Sequence, residues 1–338
     1  MNPSFASCPH VLCNSVYQGT VLGPPLWNCH YEDARHAVNS TLCNETVFAD
    51  DLNCYRKFPR HESNNTVLSE LQNCQTALHR WGAANQVIFE AEKETFHIID
   101  TKTPHGDSFK LLGVLFDTKL VMEEAINEIA AVANTRLQVL LKGRRFFSVA
   151  VMVRLYKSQV LSYLEYATPA IYHAPQFFLQ RLDCIQNRFL EFLEISPADA
   201  LIEYNLGPLC VRRDISMLGL IHRTVLGKGP EHFRNYFKPE GQPPFPRGML
   251  HRELRHEFQL YDPTNGSECN ALKRSALSLI YPYNLLPPKV VALPTVTSFQ
   301  RSLQAAVKQV CQAGLSNWEF TLSSGFKQMS IPEFQSYF

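Results

Sequence analysis

Apolar residues recur along this chain with two different spacings. Near the amino terminus Leu26, Trp27, Tyr31, Ala34 and Val38 follow one another at near-helical intervals, after a Pro24-Pro25 pair that is expected to interrupt any early helix. Short runs come next: Thr46, Val47 and Phe48 read as one strand and Leu52 to Phe58 as its partner, with Asp50 and Asp51 between them. Residues 65–86 return to a helical period, with Val67, Leu68, Leu71, Cys74, Leu78 and Trp81 on one stripe. Trp81 reads as a core residue, with a base-stacking platform as the alternative. Phe109 to Asp117 reads as a strand pair or bulged strand with Gly113 at the kink.

From Val121 the period is helical almost throughout. Ile126, Ile129, Ala130, Ala133, Leu137, Leu140 and Leu141 form one stripe. Val149, Met152, Val153, Tyr156, Val160 and Tyr163 form a second, and Phe178, Leu182, Ile185, Phe189, Phe192 and Leu193 a third. The expectation is an α+β protein with a mixed first part, a helical region over 119–227, a Pro- and Gly-rich loop region over 228–270 and a helical segment over 271–338. Residues 1–17 carry little pattern beyond a possible short strand at Val11, Leu12 and Val16.

Composition narrows the class only a little. With 338 residues, 45% hydrophobic and 19% charged, and a formal net charge of +1, this is ordinary globular usage rather than that of a wholly basic nucleic-acid binder. Ten cysteines occur without any Cys-x-x-Cys pair, so neither a zinc module nor a disulfide framework is indicated, and reduced thiols in an intracellular protein are expected. The first ten residues lack a signal-peptide pattern and no apolar run approaches a membrane span, so a nuclear or cytoplasmic, non-membrane protein is expected. His251 and His256 lack the His-Glu-x-x-His spacing, and no metal site is expected there.

The chemistry concentrates at Asp50 and Asp51. Two adjacent carboxylates repel each other, and a divalent cation relieves that repulsion. Mg²⁺ in particular is held by one or two carboxylates plus substrate phosphates. A metal-dependent phosphoryl-transfer site is therefore one reading, and a solvated Asp-Asp turn the other. Lys142, Arg144 and Arg145 form a basic stretch between two helices, suited to a nucleic-acid backbone or simply to solvated helix ends.

Gln18-Gly19-Thr20-Val21-Leu22-Gly23-Pro24-x-Leu26-x-Asn28 followed by Phe48-Ala49-Asp50-Asp51 resembles two consecutive palm motifs of reverse transcriptases from non-LTR (LINE-type) retrotransposons. Trp81-Gly-Ala-Ala-Asn85-x-x-x-Phe89-x-x-x-Lys93 and Leu112-Gly113-Val114 are similar to the family segments that follow. So are Leu155 to Ala167, Leu182 to Leu190, and Asn284-Leu-Leu-Pro287 with Phe299 and Leu303, so that the likeness runs over residues 16–305. The chain departs from the pattern in having Tyr17 where the family has Pro, and in a short spacer between the first two motifs.

The resemblance implies a partial polymerase palm over 1–118, antiparallel strands with helices, followed by a mostly α-helical thumb and carboxy-terminal region. It implies metal ligation and catalysis by Asp50 and Asp51 with Mg²⁺ (or Mn²⁺), and assistance by Lys93 to the leaving pyrophosphate. A surface ion pair between Lys93 and its neighbours Glu92 and Glu94 is the equal alternative. Gln18 and Gly19 would shape the nucleotide and template site, and Leu112 and Gly113 a primer grip. The partners implied are an RNA template, a DNA primer and deoxynucleoside triphosphates. Two-metal phosphoryl transfer also requires carboxylates from a further segment. Upstream of Gln18 there is no Asp or Glu, and the fingers are missing, so the expectation is an incomplete polymerase or an inactive remnant that binds RNA or a protein.

Overall fold

The computed structural model of the chain describes residues 19–239, 256–323 and 330–338. Among the described residues it is a mixed helix-and-sheet fold with two small antiparallel hairpins as its sheets, in agreement with the α+β expectation. The chain divides into two compact units, Met1–Ser108 and Phe109–Phe338.

The first unit opens with α1, Gly23–Asn39. The prolines were expected to interrupt a helix here, but they lie in its first turn. The first N–H groups of a helix have no internal partner, so proline loses nothing there. Thr20 caps the start, its Oγ1 accepting from the Gly23 N–H at 3.1 Å. Tyr31, Ala34 and Val38 then bury one face. β1, Asn44–Phe48, pairs with β2, Asp51–Tyr55. α2, Asn64–Asn85, is capped by Ser63 and contributes Val67, Cys74 and Leu78 to the buried stripe. Tyr31, Ala34, Val38, Cys43, Cys74 and Leu78 form the core of this unit, with Trp27, Leu52, Cys54, Trp81 and Phe89 packed around it. Trp81 therefore belongs to the core, half-buried and set edge-on to Tyr31 at 5.5 Å.

The second unit begins with a hairpin, β3 (Phe109–Leu111) and β4 (Val114–Phe116). Sequence grouped this hairpin with the residues before it. Its buried Val114 instead joins the core built around α3, Glu123–Lys142. The second apolar stripe forms α4, Val149–Tyr156, a turn of π-helix at Lys157–Leu161, and α5, Ser162–Tyr166. The short α6, Thr168–Ile171, leads to α7, Gln176–Leu193, which packs along α3. Tyr156 stacks on Phe189 at 4.2 Å at the centre of this core. Phe192 departs from the expected stripe and is exposed, because Leu190 and Leu193 already fill that end of the helix.

A second core in the same unit is carried by α8 (Pro197–Tyr204), α9 (Leu209–Val225), the short helices α11 (Ile280–Leu285) and α12 (Pro288–Val291), α13 (Val296–Gln312) and α14 (Ile331–Ser336), while the short α10 (Asn270–Arg274) buries none of its residues. Helix α9 joins the two cores, sending Leu209 into the first and Val211, Ile215 and Leu218 into the second. Arg213 on α9, buried, forks onto Asp183 of α7 at 2.8 and 3.0 Å. Arg212 forks onto Glu165 of α5 in the same way. Gln186 donates to the Gly207 carbonyl at 3.0 Å. In the closing segment Asn284 clamps the backbone of Leu260, donating through Nδ2 and accepting through Oδ1. The stretches 155–167, 182–190 and 284–303 thus carry the ties between helices.

The expected strand at Val11–Val16, the loop over 241–248 and His251 lie outside the described residues. His256 is described; it is buried, with Nε2 3.3 Å from the Tyr283 carbonyl. No described helix is long and apolar enough to cross a membrane.

Candidate functional site

In the first hairpin Phe48 pairs with Asp51, so the turn between the strands consists of Ala49 and Asp50 alone. Sequence reading set both carboxylates in the turn; pairing takes Asp51 into β2. Ala49 has φ +56°, whereas Asp50 is not among the residues of positive φ. A left-handed first position followed by an ordinary second one is the sign pattern of a II′ hairpin turn, which usually carries Gly first. Alanine there costs on the order of 1 kcal/mol, because Cβ crowds the following carbonyl.

Packing holds the turn in place. The indole N–H of Trp27, on α1, donates to the Ala49 carbonyl at 3.0 Å. Trp27 is itself stacked on Tyr31 at 5.2 Å. Arg35 of α1 reaches Glu45 of β1 at 2.9 Å, fixing the other end of the strand. Leu52 and Cys54 turn towards the helices, while Phe48 and Tyr55, on the opposite face, are exposed. Asp50 thus sits at the tip and Asp51 on the open face beside Phe48, both exposed.

The 81–93 motif is a chain reversal. Gln86 ends α2 in the left-handed conformation, and the Val87 N–H returns to the Gly82 carbonyl at 2.9 Å. Phe89 then folds back against Gly82, where an added Cβ would lie 2.6 Å from the Val87 oxygen and 2.8 Å from the Phe89 ring. Asn85 braces the turn by donating to the Trp81 carbonyl at 2.9 Å.

The reversal delivers Lys93 on a short 3-10 turn, Ala91–Lys93. Its ammonium pairs with Glu90 at 2.5 Å, both side chains exposed, rather than with Glu92 or Glu94. Glu94 is engaged instead by His79 at 2.7 Å and by Gln75. Lys93 is held above the ordinary lysine range, chiefly by its hydrogen bond to Glu90 and that carboxylate's charge, with a smaller push from Asp50. Burial, with smaller pushes from Cys54 and Asp50, raises the Tyr31 phenol. Lys93 thus forms a surface ion pair, with Glu90 in place of the Glu92 and Glu94 expected from sequence, and it also interacts electrostatically with Asp50.

Of the Gln-Gly pair, Gln18 lies outside the described residues. Gly19 is exposed with φ +80° in the approach to α1, a backbone shape that an L side chain rarely adopts. Asp50 and Asp51 match the ligand type and number with which proteins hold one Mg²⁺ alongside substrate phosphates. Among the described residues, no set of three or more His, Cys, Asp or Glu side chains is gathered as metal ligands.

The remaining sequence candidates belong to the second unit. Leu112 and Gly113 are the two turn residues between β3 and β4, with φ +49° and +80°, the double left-handed pattern of a I′ turn. Tyr166, at the end of α5, donates to the Leu112 carbonyl. Lys142 closes α3, and Arg144 and Arg145 lie on the 3-10 turn that follows. Arg145 covers the ring of Phe146 at 4.6 Å, and Phe146 and Phe147 are 70% and 43% exposed, so cations and bare aromatic rings share this tip. Positive charge also complements the carbonyl end of α3, which serves the plain structural reading.

Trp27, Ala49 and Tyr166 position these candidates and were not singled out for that role in the sequence. Only Ala49 left a signal: a two-residue turn before a strand-borne Asp needs a left-handed residue, and Ala is unusual there.

Comparison with protein-family models, with curated proteins and with solved structures returns no match for this chain. The resemblance to reverse transcriptases rests on the order and spacing of the motifs.

Proposed function

We propose that this chain is the carboxy-terminal part of a non-LTR reverse transcriptase, comprising part of a palm, a thumb and a trailing helical region. The observation that carries the reading is the hairpin tip. Adjacent Asp50 and Asp51 are presented by a left-handed Ala49, in a turn tied to α1 by Trp27, with a lysine in range of Asp50.

With Mg²⁺ or Mn²⁺, such a tip would act on phosphate oxygens. When bound, the ion supplies Lewis-acid stabilisation of the charge that develops during nucleotidyl transfer. The chain's own contribution would be to hold the two carboxylates rigidly and to place the Lys93 ammonium near departing negative charge. Gln18 and Gly19 would border the nucleotide, Leu112 and Gly113 the primer. Lys142, Arg144 and Arg145 would meet the nucleic-acid backbone. The reaction would extend a DNA 3′ end on an RNA template from deoxynucleoside triphosphates.

A second reading is a palm–thumb remnant that binds RNA or a protein without polymerising. It is favoured by the ligand count at the tip: two carboxylates serve one ion, and two-metal transfer draws acidic groups from more than one segment. Primer extension on an RNA template with Mg²⁺ or Mn²⁺ separates the two. Extension that disappears in Asp50→Ala supports the polymerase. Salt-sensitive RNA binding with no extension, unchanged in Asp50→Ala, supports the remnant.

A further inference from the structure

Three thiols from three places in the sequence meet beneath the first hairpin. Cys43 immediately precedes β1, Cys54 lies on β2 and Cys74 on α2. The strand register explains the first two. Cys54 pairs with Glu45, and Cys43 stands two residues before Glu45, so both cysteines project from the same face of the sheet. That is the covered face, and α2 lies under it with Cys74 on its buried stripe. Cys43 and Cys74 are each 2% exposed, Cys54 is half-buried, and all three are free thiols.

The three thiols belong to one small core, with Cys43 and Cys74 inside it and Cys54 packed against it. A neighbouring thiol that can donate to a sulfur favours its ionised form, and Cys54 first, opposed by burial, holds Cys74 below the ordinary thiol range. Cys54 is pushed up, first by Cys74 and then by burial. Thr41 donates its own hydroxyl proton to the Val38 carbonyl at 2.6 Å. The thiols therefore titrate together, and Cys74 is the one that ionises first.

We propose that Cys74 and Cys54 are a peroxide-reactive pair that closes to a disulfide, stapling the strand that bears Asp51 to α2. The Cys74 thiolate attacks one oxygen of the hydroperoxide and the O–O bond breaks. Cys74 becomes a sulfenic acid, and the leaving hydroxide takes a proton to become water (an alcohol, where the oxidant is an organic hydroperoxide). The Cys54 sulfur then attacks the Cys74 sulfur, the S–O bond breaks and a second water leaves with the Cys54 proton. Two thiols are oxidised by two electrons, and one peroxide is reduced. Cys54 is the most accessible of the three thiols. A Cys43–Cys54 bridge would join only the two strands of the hairpin. The inference rests on the thiols alone and is independent of whether the hairpin binds metal.

The test is carried out on the full chain, fully reduced, exposed to hydrogen peroxide, alkylated and digested with trypsin without reduction. The expected product joins peptide 36–56, which holds Cys43 and Cys54, to peptide 61–80, which holds Cys74. Counting the alkyl adduct on Cys43, it should be lighter than the sum of the two by two hydrogens. The joined peptide is expected to persist in Cys43→Ala and to vanish in Cys54→Ala and Cys74→Ala. If a variant does not fold, a second digestion of the wild-type joined peptide with chymotrypsin, which cuts after Phe48, separates Cys43 from Cys54 and shows which of them is bound to Cys74. Absence of the joined peptide, oxidation confined to the exposed Cys29, Cys184 and Cys269, or a joined peptide that survives in Cys54→Ala would each overturn the proposal.

Discussion

The Trp27 indole nitrogen lies 3.0 Å from the Ala49 carbonyl oxygen, so a side chain of α1 holds the residue whose backbone sets the direction of Asp50. Trp27→Phe keeps the ring against Tyr31 and removes only the donor. The expected loss is about 1 kcal/mol. Amide exchange at 49–51 should quicken roughly fivefold, while α2 stays protected. Unchanged exchange across the turn would mean that the strained alanine is held by the strand ladder alone.

Gly82 has no room for a methyl group, because the Val87 carbonyl and the Phe89 ring occupy its place. Gly82→Ala should improve local helix propensity and still destabilise, by about 1–3 kcal/mol, as overpacking does. Thermal unfolding checks the sign. A rise in midpoint would show that the 87–93 segment moves aside at no cost, and that its return onto α2 does not position Lys93.

Metal affinity offers a pair of opposite expectations. Asp50→Ala should weaken Mn²⁺ binding by about tenfold, equivalent to 1.4 kcal/mol. Lys93→Ala should strengthen it slightly, since Lys93 and Asp50 interact electrostatically and a cation competes with the ammonium. Water-proton relaxation with Mn²⁺ reads both. Identical affinity in wild type and Asp50→Ala would place the ion, if one binds, away from the hairpin.

At the end of α3 the exposed Phe146 stands among Lys142, Arg144 and Arg145. Replacing the three cations by Ala should lower affinity for single-stranded RNA and reduce the salt slope by about 0.7 per lost phosphate contact. Phe146→Ala should weaken binding without altering that slope, as loss of stacking would. A slope that survives the triple replacement assigns these charges to the helix end.

Asp214 on α9 predicts a pH dependence. Burial pushes its carboxyl up to about 7, only partly opposed by the Tyr172 hydroxyl, which donates to Oδ1 at 2.7 Å, and by Arg213. Between the ordinary carboxyl value of 3.8 and about 7, the folded chain keeps a proton that the unfolded chain has released. Its contribution to stability is full below that window and is lost as pH rises through about 7. Glu319, raised first by burial, adds to the same trend. Unfolding free energies from urea titrations at about pH 5 and about pH 8 should differ by up to about 3 kcal/mol, the midpoint being higher at pH 5, and Asp214→Asn should flatten the difference. A midpoint that rises with pH in the wild type would contradict this.

Helical stripes were the most legible part of the sequence, since burial along α2, α3 and α7 follows three- and four-residue spacing. Phe192 escaped that logic because its neighbours already fill the end of the stripe. The first hairpin was legible as strand, turn and strand. The place of Asp51 was not, because register depends on how few residues the turn needs, and a left-handed alanine allows two. Pro24 and Pro25 misled for a positional reason: the same residue that breaks a helix interior is neutral in its first turn. The ties from Trp27 to Ala49 and from Tyr166 to Leu112 join residues distant in sequence and carry no local pattern.

The π-turn at Lys157–Leu161 holds one residue more than an α-helix would over the same length. Everything after it is rotated by about 100° relative to an uninterrupted helix. That offset aims Glu165 at Arg212 and Tyr166 at the Leu112 carbonyl. Deleting a single residue there would leave a longer, more regular helix and turn both side chains off their partners. The second hairpin would lose its anchor to a helix that had itself become smoother. An irregularity in the helix is thus what keeps two elements far apart in sequence in register with one another.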